Sequence, residues 1–151
     1  DNRKIKSNFK LKIIGDGNEL HNIKKLVMKN NLSYYIFFLG NIDDQNLLNK
    51  HYSKALASLC LGQSGLSIVQ SLLFGVPFIC FKDCHSGGEI ENIINGETGF
   101  LCTDLKEFNF RLNQISKGVY RDIYSKVSDY ALSNLMIADM IEALSLSGIN
   151  E

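Results

Sequence analysis

The chain has 151 residues, with 16 Lys and Arg against 16 Asp and Glu, so its formal net charge is zero. Apolar residues make up 45% and charged residues 21%, which is typical of a globular domain and excludes a mainly disordered chain. The balanced charge predicts no nucleic-acid partner. Apolar runs are too short for a membrane-spanning helix, and the polar start predicts no secretory signal.

The first half of the chain predicts strands and helices in alternation. Apolar runs bounded by glycine and asparagine predict the strands, and apolar residues at helical spacing predict the helices. The strand at 35–39 is apolar throughout, which predicts burial on both faces. In chain order the predicted elements are a strand at 9–14, a helix from residue 20 to about 30, a strand at 35–39, a short helix at 45–53 and a strand at 55–61.

The second half continues this alternation. Gly75 and Pro77 predict the end of a helix that begins at Leu66. Asp104 with Glu107 three residues later is typical of a capping box at the start of another helix. The remaining predictions are a strand at 78–81, a loop at 82–88, a short helix at 89–94, a strand at 100–102, and a long terminal helix marked by Val119, Ile123, Val127, Ala131 and Leu135.

Alternating strands and helices with apolar strands predict an α/β fold, a doubly wound, Rossmann-like parallel sheet covered on both faces. No linker or repeat interrupts the pattern, so residues 1–151 are predicted to form one domain. In such sheets ligands bind beyond the carboxyl ends of the strands. Gly15, Gly40 and the segment 62–65 follow predicted strands and therefore become candidates for the site.

Residues 62–67 carry the strongest local signal for a ligand. Two glycines bracket a turn between a predicted strand and a predicted helix, where the first helical N–H groups have no internal partner. Together with the positive end of the helix they form an anion site that suits a diphosphate. The alternative is an ordinary turn with a serine cap, which this segment alone favours. The candidate residues are Gly62, Gln63, Ser64, Gly65, Leu66 and Ser67.

Three weaker signals lie elsewhere. The turn at Gly15 and Gly17 lacks the third glycine of a dinucleotide fingerprint, so a simple turn is favoured. Glu89 opens a predicted helix, where the helix dipole favours an acid, but its carboxylate could equally hold sugar or ribose hydroxyls. Cys80 and Cys84 with the neighbouring histidine suggest a metal site, yet core packing is favoured, and no metal is predicted. No nucleophile signature is present, and no catalytic residue is assigned.

The four cysteines are Cys60, Cys80, Cys84 and Cys102, and three of them lie in or beside apolar runs. Buried free thiols are typical of a reducing compartment, which predicts a cytoplasmic protein.

Taken in order, the segments resemble the retaining GT-B glycosyltransferases of the large group 1 family. The ordered series is more specific than any single motif and covers roughly residues 9–104. The segments that carry the resemblance are Leu11–Leu20, Ile36–Ile42, Tyr52–Ala55, Gly65–Ile79 and Asn95–Leu101.

The resemblance implies the donor-binding, C-terminal half of a two-domain enzyme that moves a hexose-type sugar from a UDP- or GDP-sugar to a glycan or lipid-linked acceptor in polysaccharide synthesis. Gly40, Asn41 and Ile42 would line the base, and Ser64–Ser67 would hold the diphosphate. The resemblance implies retention at the anomeric carbon and no metal or cofactor. It also implies a cytoplasmic enzyme, or one at the inner face of the membrane.

The chain departs from the family at two positions. The family commonly has two glutamates eight positions apart, and Gly62 and Gln70 stand in their places. Gln70 can still donate or accept a hydrogen bond at the ribose, as a neutral group. The family's basic pair should precede residue 9, and the acceptor half is absent, so we expect a piece of a longer enzyme that is inactive in isolation.

Two alternatives remain open. The substitutions at Gly62 and Gln70 favour a non-catalytic module that binds a nucleotide or a protein partner. A GT-B epimerase is structurally close, but the turn at Thr98–Leu101 favours a transferase.

Overall fold

The structure is a computed structural model that describes residues 9–135. Strands and helices alternate, and every strand pairing in this part of the chain is parallel, which confirms the predicted fold class. The chain divides after Leu48 into two compact units. The strands are β1 (Leu11–Ile14), β2 (Ile36–Gly40), β3 (Ser58–Cys60), β4 (Phe78–Phe81) and β5 (Gly99–Cys102), and the helices are α1 (Leu20–Lys29), α2 (Gln45–Tyr52), α3 (Leu66–Leu73), α4 (Leu105–Ser116) and α5 (Ile123–Asn134).

The first unit contains a sheet of two strands, β1 and β2, whose register shifts so that Ile14 pairs with Gly40. Val27 is the buried residue of α1, while Phe37 of β2 is 37% exposed. The predicted burial of β2 on both faces is therefore wrong. A sheet of only two strands has little of its surface covered. The apolar composition of β2 was therefore not enough to bury both of its faces.

The second unit contains the sheet β3-β4-β5 with β4 in the centre. Ser58, Phe78 and Gly99 lie side by side across the three strands. Phe78, Ile79 and Cys80 of β4 are each at most 1% exposed. Because successive side chains of a strand point to opposite faces, both faces of β4 must be covered, as predicted.

Helices α3, α4 and α5 supply the apolar cover of this sheet. Each helix buries residues at helical spacing, and α3 packs against α5 while α4 packs against β4 and β5. The buried helical residues of this core include Ile68, Leu72, Phe108, Ile115, Ile123 and Val127. Within residues 9–135, none of the helices has the length and apolar character needed to cross a membrane.

The sequence predicted the start of α4 but not the turn that ends it. Asp104 caps α4 by accepting a hydrogen bond from the Glu107 N–H at 2.8 Å, which confirms the predicted start. The Glu107 carboxylate bonds the N–H and hydroxyl of Thr103, one residue before the capping-box position. At the other end, Gly118 has a φ of +71° and the Val119 N–H bonds the Gln114 carbonyl.

This bonding pattern is a Schellman motif, which ends α4 and reverses the chain. The predicted start of the terminal helix near Val119 is therefore wrong, and α5 begins at Ile123.

Two other elements are shorter than predicted. The predicted strand at 55–61 is reduced to Ser58–Cys60, because the Ala55 N–H still bonds the carbonyl of Tyr52 at the end of α2. The predicted helix at 89–94 is a single 3-10 turn, Glu89–Asn92.

Replacing Gly99 by alanine should lower the free energy of unfolding by about 3 kcal/mol, because a Cβ there would overlap the Phe78 carbonyl oxygen in the β4–β5 ladder. Urea unfolding followed by circular dichroism measures the loss. Gly62→Ala is the matched control, since a Cβ there meets open space, and it should change stability by less than about 0.5 kcal/mol. Equal stability of the two variants would contradict the close approach at Gly99.

Candidate functional site

The start of α3 lies at the carboxyl end of β3 and has no side-chain cap. Gly65 occupies the N-cap position, and no side chain bonds the first N–H groups of the helix. The predicted serine cap is therefore wrong, while an ordinary turn without a ligand stays an alternative. Leu66 is 78% exposed and Ser67 is exposed as well, so the N-terminal turn of α3 faces solvent. An uncapped, exposed helix start offers N–H donors and a positive dipole end to an anion.

Ser64 faces inward, away from this exposed turn. Its side chain is fully buried, and its N–H donates to the His85 carbonyl at 2.9 Å. Its hydroxyl lies 2.9 Å from Cys84 Sγ, at hydrogen-bond distance, and Cys84 Sγ lies 3.6 Å from Cys80 Sγ. Both polar groups of Ser64 are thus engaged inside the protein.

Two further contacts hold the loop 62–65 in place. The Cys60 thiol donates to the Gln63 carbonyl at 3.0 Å, and Gln63 forms an isolated parallel bridge with His85. The supporting roles of Cys60, Cys84 and His85 were missed by the sequence analysis. The only signal was the position of these residues at or just beyond the ends of β3 and β4.

The Glu89 carboxylate lies beside Gly65. Its Oε2 accepts a hydrogen bond from the Gly87 N–H at 2.7 Å, and its Oε1 lies 3.9 Å from the point that a Cβ on Gly65 would occupy. The structure therefore brings together the loop 62–65 and Glu89, which the sequence placed 24 positions apart along the chain. A carboxylate accepts hydrogen bonds and repels anions, so this side of the loop suits hydroxyl groups rather than phosphate.

Gln70 lies one helical turn further along α3 and contacts Tyr52. The Tyr52 hydroxyl donates to Gln70 Oε1 at 3.4 Å, and its ring stacks on Phe74 with 4.5 Å between ring centroids. Burial raises the pKa of Tyr52, which keeps the phenol protonated as a donor. Tyr52 was noted in the sequence only as part of the Tyr52–Ala55 segment, and its orienting role on Gln70 was not predicted.

In the first unit, the Gly15–Gly17 turn and the loop of Gly40, Asn41 and Ile42 lie together at the carboxyl end of the sheet. The Gly15 N–H donates to the Gly40 carbonyl at 2.8 Å. Gly15 and Gly40 have φ values of +129° and +71°, which only glycine adopts without strain. The Asn41 amide bonds the Asp43 carboxylate at 3.0 Å, and Ile42 is half-buried.

The predicted site residues thus fall into two groups, one in each unit. Gly15, Gly17, Gly40, Asn41 and Ile42 share the strand ends of the first unit, and the remaining eight share the loops around the start of α3 in the second. Their contact with a ligand stays a prediction.

All four cysteines are free thiols; Cys80 and Cys102 are buried, and Cys60 and Cys84 are half-buried. Burial, together with the hydrogen bond with Cys84, raises the pKa of Cys80 to about 12. Burial also raises the pKa of Cys102 to about 11, with the nearby Glu107 carboxylate adding to the effect. Among the residues from 9 to 135, no three His, Cys, Asp or Glu side chains are grouped to hold a metal ion.

A comparison with protein families matches residues 2–125 to the family described as glycosyl transferases group 1. The chain belongs to this family. The match spans both units and all five segments on which the sequence resemblance rests, so the predicted family is confirmed. No curated protein sequence matches the chain.

Solved structures with the same fold are glycosyltransferases at low identity. A variant of TarM from S. aureus, in complex with fondaparinux, α-GlcNAc-glycerol and UDP, has a TM-score of 0.73 and 19% identity, with 92% of this chain and 29% of TarM covered. HepE from Anabaena in complex with UDP has a TM-score of 0.62 and 22% identity, with 91% and 41% covered. The lipopolysaccharide outer core galactosyltransferase WaaB, in its apo form, has a TM-score of 0.63 and 18% identity, with 91% and 41% covered.

These likenesses confirm the Rossmann-like half of a GT-B fold. The chain spans 29–41% of the length of these solved chains.

The four thiols of this chain should fall into two classes of reactivity at pH 8. With a pKa of about 12, Cys80 is thiolate in only about one molecule in ten thousand, so Cys80 and Cys102 should react far more slowly than Cys60 and Cys84. Titration with an aromatic disulfide, native against denatured, measures this. Four equally fast thiols in the native chain would contradict the burial.

The same pKa shifts predict how stability depends on pH. Because the folded state holds the thiol protons more tightly than the unfolded state, stability should be full below pH 9 and fall as the pH rises from 9 towards 12.

Proposed function

We propose that this chain is the donor-binding half of a glycosyltransferase that takes a hexose-type sugar from a UDP- or GDP-sugar. The observation that carries the proposal is the uncapped, exposed start of α3 with the Glu89 carboxylate beside it. A nucleotide sugar combines an anionic diphosphate with neutral hydroxyl groups, so it needs an N–H-rich turn and a hydrogen-bond acceptor next to each other. The UDP present in the TarM and HepE structures supports a uridine nucleotide.

In this proposal the diphosphate lies against the N-terminal turn of α3. The N–H groups of Leu66 and Ser67 and the exposed Ser67 hydroxyl donate to phosphate oxygens, and the missing side chain at Gly65 leaves room for the ligand. Ser64 serves the site indirectly, because its hydroxyl and N–H fix the loop instead of facing the ligand. The roles proposed for Gly62 and Gln63 are those of loop backbone.

In the same proposal, the two polar side chains that flank this turn bind hydroxyl groups of the nucleotide sugar. The Glu89 Oε1 is the acceptor nearest Gly65, and Gln70 follows on the next turn of α3. In the first unit the Gly15–Gly17 turn supports the loop Gly40–Ile42 through the Gly15–Gly40 hydrogen bond, and the contact of this loop with a base is what the family resemblance implies.

We extend the proposal to the whole reaction on the strength of family membership. The sugar would pass with retention to a glycan or lipid-linked acceptor that a separate half of the enzyme binds, in polysaccharide synthesis. Helix dipole and N–H donors, rather than a metal, would neutralise the leaving diphosphate. We place the enzyme in the cytoplasm or at the inner face of the membrane, which accords with four free thiols.

A second candidate is a module that binds a nucleotide without catalysis. The observation in its favour is the replacement of both family carboxylates, by Gly62 and Gln70. Nucleotide binding at α3 is common to the two candidates, whereas sugar transfer by the full-length enzyme belongs to the first alone.

Gly65→Val should reduce UDP binding at least about ten-fold, because its side chain would fill the space between the start of α3 and Glu89 that the nucleotide needs. A Cβ at Gly65 meets only Glu89 Oε1 at an ordinary contact of 3.9 Å, so Gly65→Ala should fold normally and weaken binding less. Calorimetry measures the affinity of UDP and GDP, and circular dichroism checks the fold. Unchanged binding in a folded Gly65→Val chain would move the site elsewhere.

Substitutions at Gln70 test the hydroxyl contact by a matched pair. Gln70→Ala should weaken binding of UDP by about 1 kcal/mol through the loss of one neutral hydrogen bond, and Gln70→Glu should strengthen it by a similar amount, because a charged acceptor bonds a hydroxyl more strongly. Calorimetry again gives both values. Equal affinities for Ala, Gln and Glu at this position would remove Gln70 from the site.

A further inference from the structure

A cluster of three thiols lies directly under the loop 62–65. Cys60 and Cys80 are register partners on β3 and β4, so their side chains point to the same face of the sheet. Cys84 is folded back towards them by a turn in which its N–H bonds the Phe81 carbonyl at 3.2 Å. This turn brings Cys84 Sγ to 3.6 Å from Cys80 Sγ.

We propose that Cys80 and Cys84 form a reversible disulfide, and that its formation releases the buried Ser64 and loosens the loop 62–65. Two observations carry this. The two sulfur atoms are already in contact, and the same Cys84 sulfur shares a hydrogen bond with the Ser64 hydroxyl. The oxidation state of one sulfur pair is thereby coupled to the segment that begins α3.

The geometry requires Cys84 to be the residue that moves. A disulfide bond is about 2.0 Å long, so the sulfur atoms must approach by about 1.6 Å. Cys80 is a fully buried residue of the central strand, whereas Cys84 is half-buried and lies in the loop that follows β4. Its sulfur must therefore move from its place beside Ser64, and the Ser64 hydroxyl, which is fully buried, loses its hydrogen-bond partner.

The oxidant in this proposal is a hydroperoxide. The half-buried Cys84 thiolate attacks the peroxide bond and becomes a sulfenic acid, and the peroxide leaves as water or an alcohol. The Cys80 sulfur then attacks the Cys84 sulfur, the sulfenic oxygen leaves as a second water with the Cys80 proton, and the disulfide forms. Two electrons pass from the sulfur pair to the peroxide, and a dithiol returns them on reduction.

Trypsin cuts after Lys82, between the two cysteines, and so separates this link from a Cys60–Cys80 link; fragmentation of the joined peptides then separates it from links through Cys60 or Cys102. A Cys80–Cys84 disulfide joins the peptides 55–82 and 83–106, whereas a Cys60–Cys80 disulfide stays within the first of them. The folded chain is treated with hydrogen peroxide, its remaining thiols are alkylated, and the peptides are read by mass spectrometry with fragmentation across residues 60, 80, 84 and 102.

We expect the joined peptides in the wild-type chain and in the control Cys60→Ser, and none in Cys84→Ser. A Cys60–Cys80 link would overturn the proposal, as would an irreversibly oxidised Cys84 beside a free Cys80 thiol. Circular dichroism and thermal unfolding of the oxidised chain confirm that the link forms in folded protein. Since the wild-type map is itself decisive, a variant that fails to fold does not spoil the test.

Amide NMR then tests the coupling to the loop. Oxidation should shift the Ser64 and His85 amide signals, dithiothreitol should reverse the shift, and Cys84→Ser should show no such response to peroxide. A disulfide that leaves the Ser64 amide unchanged would overturn the coupling.

The consequence for binding rests on the proposed function: oxidation should weaken UDP binding about ten-fold. Equal UDP affinity of the oxidised and reduced chains would overturn this consequence. If the reduced chain binds neither UDP nor GDP at millimolar concentration, the proposed function fails, while the link and the Ser64 shift still decide the disulfide proposal.

Discussion

The burial of β4 on both faces is the constraint on which the second unit depends. Phe78, Ile79 and Cys80 pair with β3 on one side and β5 on the other, and α3, α4 and α5 pack over this sheet. A central parallel strand has no face or edge left for water, so its neighbours are fixed in register. The carboxyl ends of β3 and β4 then lie side by side, and the loops that follow them, 62–65 and 82–88, must meet.

The meeting of these loops gives the candidate site its particular chemistry. Ser64 and Gln63 bond to His85, and thiols from Cys60 and Cys84 complete the support from below. A loop held by buried hydrogen bonds can keep the start of α3 uncapped and exposed, because its position does not depend on a cap. The support includes two thiols, so oxidation of these thiols would act on the segment that is proposed to bind an anion.

Membership of the group 1 glycosyl transferases makes the departures at Gly62 and Gln70 informative. Gln70 is not an isolated neutral replacement, since the Tyr52 hydroxyl bonds its Oε1 and the ring of Tyr52 is stacked on Phe74. The side chain at position 70 is therefore oriented by α2. Glu89 offers a carboxylate near Gly65, so one acidic acceptor remains beside the loop although both family glutamates are replaced.

The sequence by itself determined the family, the α/β alternation and most element boundaries, because these depend on local signals such as the Asp104 cap and the apolar run of β4. Burial of β2, the inward turn of Ser64 and the contact of Glu89 with Gly65 were decided only by the tertiary structure. The turn at Gly118 was only partly predictable from the sequence. Its φ of +71° ends α4 through a Schellman motif, but a glycine in the sequence does not by itself specify which turn it forms. Burial and side-chain direction depend on partners that are distant along the chain, and spacing in the sequence carries no record of them.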